Sequence, residues 1–187
     1  MNKTKRKIFD ASMKLFAEKG YDATSVEEIT GAVGVAKGTL YYHFSSKEEI
    51  FNFLVEEGTK LILNNMEIKT RNLENSVDKL RAISILQIRV LKKYENLITI
   101  ILSQIYGTDL KSQKCRDTVI RYMAEIEKIV KDGMDKNEIK QGNSSIIASE
   151  IFAFSFATMA EKIKTNEEID VRKYGLEFDR LLKGLVY

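Results

Sequence analysis

The chain contains no proline and only ten glycines among its 187 residues. Proline breaks helices and glycine weakens them, whereas leucine, isoleucine, lysine and glutamate, all abundant here, are compatible with helices. We therefore expect an all-α fold in which helices occupy nearly the whole chain. A chain of this length suits one or two domains and can bury a sizeable core.

The first third of the chain contains the stretch SVEEITGAVGVAKGTLYYHFSSK, residues 25–47. Ser25 and Glu28 have the spacing of a capping box, which predicts a helix start. Gly34 follows that helix, at a position where the backbone often needs a positive φ. In the next helix Leu40 and Phe44 are spaced i, i+4 and form an inward face. Two helices joined by a tight turn, the second with an exposed polar and aromatic face, are typical of a DNA-binding helix-turn-helix.

The longer tract GYDATSVEEITGAVGVAKGTLYYHFSSKEEIF resembles the N-terminal module of the tetracycline-repressor (TetR) family of transcriptional regulators. Its most diagnostic part is KGTLYYHFSSKEEIF, where an aromatic pair, histidine, phenylalanine and lysine follow in that order. The resemblance covers residues 5–55 and leaves the rest of the chain without a motif. It implies a one-component regulator, most commonly a repressor, whose C-terminal half binds a ligand that releases operator DNA.

The second helix of this pair is expected to lie in the major groove of DNA. Lys37 can donate to guanine or to a phosphate, and Gly38 allows a close backbone approach. Thr39 and Tyr41 can offer hydroxyl groups or apolar contact to thymine methyl groups. The resemblance implies that Tyr42 and His43 contact phosphate groups. The predicted DNA-binding residues are Lys5, Arg6, Thr24, Ser25, Lys37, Gly38, Thr39, Tyr41, Tyr42, His43 and Lys47.

Several members of this set have alternative interpretations. The hydroxyl groups of Thr24 and Ser25 lie at a helix start, where free N–H groups favour phosphate, but they can also serve only as caps. The basic residues of the first helix can form an unattached tail, and one of the two adjacent tyrosines can pack. His43 is the only histidine, which leaves little room for a histidine-based metal site or an acid–base pair. We expect no metal, cofactor or catalytic site.

The net charge of +3 lies entirely in the N-terminal residues. Residues 1–47 carry eight Lys/Arg and five Asp/Glu, whereas residues 48–187 carry 22 of each sign. A positive excess on the DNA-binding segment suits the neutralisation of phosphates. Because an excess of three charges also arises by chance, it supports the DNA-binding motif but does not indicate DNA binding by itself.

The sequence predicts two domains. A helix-turn-helix DNA-binding domain occupies residues 1–47, and a helical ligand-binding and dimerisation domain occupies residues 48–187. A second capping-box pattern, Ser46 with Glu49, predicts a long helix at this boundary that both domains share. The pattern of Thr165 with Glu168 predicts the start of the last helix.

The C-terminal domain has surplus apolar and aromatic side chains, which suggest a cavity for a small hydrophobic or aromatic ligand. Residues 94–106, YENLITIILSQIY, are too apolar for a surface helix and should be buried. Each candidate residue can alternatively pack in the core, because aromatic and methionine side chains at helical spacing usually fill the interior. The candidates are Gln87, Tyr94, Tyr106, Tyr122, Met123, Glu125, Phe152, Phe156 and Met159.

Residues 146–163, IIASEIFAFSFATMAEKI, are apolar around most of the helix and must bury two faces. One face can meet the core of the chain, and a second subunit can approach the other closely because of the small residues Ala148, Ala153, Ser155, Ala157 and Ala160. This resembles the four-helix dimer interface of the TetR family, although an ordinary buried core helix is the alternative. A homodimer is also expected because one short recognition helix contacts too few base pairs.

Other classes of protein are disfavoured by what the sequence lacks. It shows no signal peptide and no apolar run near 18 residues, so we expect a cytoplasmic protein. Glycine-rich phosphate loops and a nucleophile–base pair are missing, so an enzyme is not expected. The lone Cys115 is expected to pack. Two alternatives remain: a ligand-independent dimerisation or protein-docking half, and a basic first helix that binds a membrane surface.

Overall fold

The structure is a computed structural model that describes residues 2–165 and 168–186, except for the side chains of residues 159, 160, 162 and 163. Within these residues every regular element is a helix, which confirms the all-α prediction. In the same part of the chain no helix combines the length and apolar character needed to cross a membrane. The helices are α1 Lys3–Lys19, α2 Val26–Val33, α3 Lys37–His43, α4 Lys47–Thr70, α5 Ser76–Lys93, α6 Glu95–Gln104, α7 Leu110–Asp135, α8 Ser144–Thr165 and α9 Val171–Leu185.

The helices group into two compact units. The first unit comprises the chain through Lys60 together with Tyr94–Thr118, and the second comprises Leu61–Lys93 together with the chain from Val119 onward. The boundaries between them fall inside α4, between α5 and α6, and inside α7. The functional division predicted after residue 47 falls within the first unit and stays a prediction.

The core of the first unit forms where α1 packs against α2, α3 and α6. Ile8, Ile29 and Leu40 are completely buried there. The rings of Phe16 and Phe51 both pack on Tyr21, with centroids 5.2 and 5.0 Å away. Burying side chains of this size stabilises the fold by about 1.5–3 kcal/mol each, which holds the short helices α2 and α3 in place.

Helix α6 is buried along one side only. Leu97, Ile100 and Ile101 are buried, and a Cβ added at Gly58 of α4 would lie 2.5 Å from Leu97 Cδ2. Tyr106, two residues beyond the helix, is 91% exposed. The prediction that residues 94–106 are buried throughout is therefore wrong at their C-terminal end, because the chain leaves the core after the last turn of α6.

The core of the second unit forms where α5 packs against α8 and α9. Ile83 of α5, Ile151 of α8 and Phe178 of α9 are completely buried. Phe154 of α8 packs against two rings of α9, those of Tyr174 and Phe178, with centroids 5.2 and 5.5 Å away. Aromatic packing thus fixes the contact between α8 and α9.

Two helix starts differ in detail from the sequence patterns. Helix α9 begins at Val171, because the Asp170 carboxylate accepts from the Arg172 and Lys173 backbone N–H groups. The prediction of a start at residue 165 was wrong, because α8 continues through Thr165. At the start of α4 the Ser46 hydroxyl accepts from Glu49 N, as expected, whereas the Glu49 carboxylate accepts from Ser45 instead.

Cys115 packs in the interior of the first unit and is completely buried. Burial raises the pKa of its thiol to about 12, so the reactive thiolate does not form near neutral pH. This agrees with the expectation of a packing role.

Candidate nucleic-acid interface

Helix α2 begins with a complete capping box. The Ser25 hydroxyl accepts from Glu28 N at 3.1 Å, and the Glu28 carboxylate accepts from Ser25 N at 2.8 Å. The Lys19 ammonium at the end of α1 lies 2.6 Å from the same carboxylate. Lys19 first, and then Ser25, lower the pKa of Glu28 to about 2. The capping box therefore also ties α2 to α1.

The turn between α2 and α3 is formed as the sequence predicts. Gly34 has a φ of 72°, in the left-handed region that glycine adopts without a steric penalty. Its N–H donates to Thr30 O at 2.9 Å, which satisfies a carbonyl at the end of α2. The chain then enters α3 at Lys37.

Helix α3 presents one face to the core and the other to solvent. Leu40 and Phe44 are 0% and 1% exposed, so the i, i+4 pair faces inward as predicted. Lys37, Gly38 and Tyr41 are exposed, and Tyr42 is 84% exposed. Two inward anchors thus fix the rotation of α3 and leave its polar and aromatic face free to meet a partner.

Two further residues of α3 are half-buried, Thr39 and His43. The His43 ring packs edge-on against Tyr42, with centroids 5.0 Å apart. This contact orients both rings at the C-terminal end of α3. Their predicted phosphate contacts remain predictions.

Lys37 is held by a residue that the sequence analysis did not single out. Its Nζ lies 2.6 Å from the Glu27 carboxylate of α2, and both groups are exposed. The pair raises the pKa of Lys37 and lowers the pKa of Glu27, in each case mainly through the hydrogen bond between them. A contact from Lys37 to DNA therefore exchanges one anionic partner for another.

The basic residues of α1 also have partners within the protein. The Lys5 ammonium lies over the rings of Phe44 and Phe53, 4.7 and 4.8 Å from their centroids. The Arg6 guanidinium donates through Nε to both carboxylate oxygens of Asp10, at 3.1 Å each. Both cations lie on the surface of the first unit, and Arg6 is the more exposed of the two.

Thr24 has a structural role. It is 1% exposed, and its hydroxyl donates to Gly20 O at 2.8 Å and more weakly to Leu15 O. The side chain is therefore not accessible to a phosphate, so the prediction that the Thr24 side chain contacts DNA was wrong. Ser25 is exposed, and its hydroxyl is the cap of α2.

Lys47 reaches back across the helix-turn-helix. Its Nζ donates to the backbone carbonyls of Tyr21 and Thr24, each at 2.8 Å. It also lies 4.3 Å from the centre of the Tyr21 ring. A phosphate contact from Lys47, as predicted, would add to these bonds or replace them.

Tyr21 contacts a second lysine on its ring, Lys111 in the first turn of α7. The Lys111 ammonium lies 4.2 Å from the ring centre, 3.2 Å from the Asp109 carboxylate and 3.5 Å from that of Asp22. No local pattern predicts this contact, because residues 22 and 111 are far apart in the sequence. The start of α7 thereby holds the loop that precedes α2.

The predicted ligand-lining residues are only partly brought together. In the second unit Gln87 and Tyr122 are buried, and the half-buried Phe152 packs against Tyr122 with centroids 5.8 Å apart. The half-buried Phe156 packs against Phe152 in turn, at 5.0 Å. Met123 and Glu125 are half-buried on α7.

Other members of that set lie elsewhere. The Glu125 carboxylate pairs with Lys128 at 2.6 Å on the surface. Tyr94 is half-buried in the first unit, next to α6. Tyr106 cannot line a cavity in this structure because it is 91% exposed, so that prediction was wrong. The side chain of Met159 lies outside the part of the chain that the structure describes.

Comparison with known proteins agrees with this geometry. Residues 8–54 match the sequence profile of "Bacterial regulatory proteins, tetR family". A Clostridium perfringens structure, named as a fatty acid metabolism regulator, is 30% identical with a TM-score of 0.86; the similarity covers 92% of this chain and 94% of that one.

Curated relatives include the fatty acid metabolism regulator protein of Bacillus subtilis, which is 27% identical over 84% of this chain and 80% of its own length. A Staphylococcus epidermidis negative transcriptional regulator of the icaADBC biofilm operon is 48% identical, over 28% of each chain. The proteins of this family are non-enzymatic regulators that bind DNA. The chain is a transcriptional regulator that belongs to the tetR family.

Proposed function

We propose that the protein is a dimeric repressor that binds an inverted-repeat operator through α3 and dissociates when a small ligand binds the second unit. The observation that carries this proposal is the orientation of α3. Leu40 and Phe44 anchor it, and Lys37, Gly38, Tyr41 and Tyr42 lie on the opposite, exposed face. A short helix held in this way fits the major groove of DNA.

Exposed apolar and small side chains on α8 and α9 support the dimer. Ile146 and Leu176 are 57% and 61% exposed, and Ala153 and Ala157 are exposed one turn apart on α8. Small residues let helices of two subunits approach closely, and burial of the larger side chains would supply the association energy.

The controlled genes and the ligand class are inferred from the relatives. Two of them, at 30% and 27% identity over most of the chain, are named as regulators of fatty acid metabolism. We infer that this protein controls genes of fatty acid metabolism and responds to an acyl compound. In this mechanism the dimer has one conformation that binds the operator and one that does not, and the ligand changes DNA affinity only as far as it prefers one of them.

A glycine substitution tests the DNA-binding face without disturbing the fold. A Cβ added at Gly38 meets no protein atom within 4 Å. Gly38→Ala should therefore keep the melting temperature of the protein, or raise it, because alanine favours helices. If the backbone at Gly38 approaches the bases, the same change should weaken operator binding by about 10-fold or more.

The measurement is fluorescence anisotropy with labelled DNA from upstream of the protein's own gene and with a scrambled duplex. Gly31→Ala is the matched control, because its added Cβ also meets no atom within 4 Å but lies on α2. Equal binding of both duplexes by the wild type would refute operator recognition. Unchanged binding by Gly38→Ala would refute the docking of α3 through this face.

A further inference from the structure

The ring of Tyr21, in the loop between α1 and α2, is contacted by two lysines from other helices. The Lys47 ammonium at the start of α4 lies 4.3 Å from the ring centre, and the Lys111 ammonium at the start of α7 lies 4.2 Å from it. Tyr21 is 8% exposed and also packs against Phe16 and Phe51. Because an aromatic ring attracts a cation more strongly where water is excluded, both contacts hold this loop.

Lys47 also binds the backbone of the same loop. Its Nζ donates to the carbonyls of Tyr21 and Thr24 at 2.8 Å each, and more weakly to the carbonyl of Asp22 at 3.4 Å. The conformation of residues 21–24 therefore sets the position of the Lys47 ammonium. The predicted phosphate contact of Lys47 requires that position to be kept.

The Lys111 ammonium is occupied by partners within the protein. Its side chain is only 17% exposed, and the ammonium lies 3.2 Å from the Asp109 carboxylate and 3.5 Å from the Asp22 carboxylate. A DNA phosphate would have to compete with these two carboxylates and with the Tyr21 ring. Lys111 is thus placed to hold the loop rather than to bind DNA itself.

The start of α7 is itself fixed, so that Lys111 can serve as an anchor. The Asp109 carboxylate accepts from Ser112 N at 2.8 Å, which caps the helix. The Arg116 guanidinium, farther along α7, donates to Ile105 O at 3.0 Å, beyond the last residue of α6. These bonds tie the turn before Lys111 to the helix that follows it.

We propose that Lys111 is a positioning residue for DNA binding. Through the Tyr21 ring and the Asp22 carboxylate it fixes the loop whose carbonyls hold Lys47. This assignment rests on the predicted DNA contact of Lys47 and deepens the operator binding proposed above. Loss of the Lys111 contacts would displace the Lys47 ammonium and weaken binding to any duplex, because phosphate contacts carry no sequence information.

The test is a double-mutant cycle of Lys111→Met and Lys47→Met, measured by fluorescence anisotropy with operator DNA and with a scrambled duplex. Methionine keeps the length of the lysine side chain and removes its charge. Lys114→Met is the matched control for net charge, because Lys114 is also half-buried and lies one turn farther along α7. Circular dichroism confirms that each variant is folded.

Lys111→Met should weaken binding to both duplexes by about 3- to 10-fold, in line with the strength of one cation–ring contact. Lys114→Met should weaken it by less than about 2-fold, because a single distant charge is screened by salt. In the Lys47→Met background, Lys111→Met should have no further effect on affinity. A residue with a purely structural role would change the melting temperature without this dependence on Lys47.

A second substitution tests the ring contact itself. Lys111→Arg keeps the positive charge, and a guanidinium also stacks on aromatic faces. It should therefore bind DNA within about 2-fold of the wild type. A loss of affinity as large as that of Lys111→Met would overturn the role of the cation on the Tyr21 ring.

The proposal is also overturned if Lys111→Met binds like Lys114→Met, or if it weakens binding equally with and without Lys47. Unchanged binding by Lys47→Met alone would overturn it as well, whereas a wild-type preference for the operator would then leave operator recognition intact. A wild type without that preference would refute operator recognition. The cycle on the scrambled duplex would still decide the role of Lys111.

Discussion

At the scale of single residues, two cations of the proposed DNA-binding surface are paired with carboxylates of the protein itself. Lys37 pairs with Glu27 at 2.6 Å, and Arg6 pairs with Asp10 at 3.1 Å. Such exposed pairs contribute little to stability, because water and salt screen them. If Lys37 contacts DNA as proposed, the pair matters more for DNA binding than for stability, because the Glu27 carboxylate competes with phosphate for the same ammonium group.

Glu27→Gln should tighten DNA binding by up to about 5-fold at low salt, because it frees Lys37 and removes a negative charge beside the phosphates. The measurement is an anisotropy titration across a series of salt concentrations. Glu57→Gln is the control, since Glu57 forms a comparable exposed pair with Lys60 on α4. Equal or weaker binding by Glu27→Gln would show that Lys37 does not contact DNA.

Glu28 makes the stability of the first unit depend on pH. Its pKa falls from 4.5 to about 2 because Lys19 and Ser25 bind the carboxylate. A group whose pKa is lower in the folded state stabilises the fold above its unfolded pKa. That contribution is lost as the pH falls from about 4.5 towards 2.

Glu28→Gln should therefore lower the melting temperature near neutral pH and lose this deficit as the pH falls through that window. Thermal unfolding followed by circular dichroism at a series of pH values measures the difference. Lys19→Met, which removes the first partner of the carboxylate, should reduce the pH dependence in the same range. A difference between wild type and Glu28→Gln that stays constant from pH 5 to about pH 2 would contradict the assignment.

At the scale of elements, the turn between α2 and α3 sets the position of α3, the proposed recognition helix. Gly34 has a φ of 72°, whereas Gly31, three residues earlier, is helical and exposed. The same substitution should therefore have opposite effects at these two positions.

Gly34→Ala should destabilise the protein by about 1–2 kcal/mol, the cost of a left-handed conformation for a residue with a Cβ. Gly31→Ala should stabilise it by about 0.5–1 kcal/mol, because the unfolded chain loses freedom and the added Cβ meets no atom within 4 Å. Urea unfolding gives both free energies. A stabilising Gly34→Ala would mean that the turn does not require a left-handed residue.

At the scale of the whole molecule, the proposed function requires two copies of α3. Dimerisation would supply the second copy, and the second unit has exposed apolar side chains that a partner subunit could cover. Among them, Leu176 on α9 is 61% exposed. Leu110, at the start of α7, is 70% exposed and belongs to the first unit. Leu110 is therefore a suitable control position for substitutions at Leu176.

Leu176→Arg should shift the protein towards monomer and weaken operator binding by about 10-fold or more, because a charge would enter the proposed interface and the paired half-sites would be lost. Leu110→Arg should leave the assembly state unchanged. Light scattering after size exclusion gives the mass, and circular dichroism confirms folding. A monomeric wild type would remove the basis of the dimer proposal, and a dimeric Leu176→Arg would place the interface elsewhere.

Local chemistry was readable from the sequence because it depends on residues that are near one another in the chain. The absence of proline predicted an all-helical fold, the spacing of Ser25 and Glu28 predicted the start of α2, and Leu40 with Phe44 predicted which face of α3 is buried. The last two of these signals depend on residues only three and four positions apart, and the first is a property of composition. The helix-turn-helix could therefore be recognised before any tertiary contact was known.

Only the tertiary structure decided which polar side chains are free. Thr24 and Lys47 bind backbone carbonyls of the first unit, Lys37 pairs with Glu27, and Lys111 packs on Tyr21. The tertiary structure also decided that the Tyr106 side chain is exposed, whereas those of Gln87 and Tyr122 are buried. These outcomes follow from contacts between segments that are distant in sequence. The periodicity of a sequence predicts which face of a helix is buried, but it does not predict which side chain of another segment packs against that face.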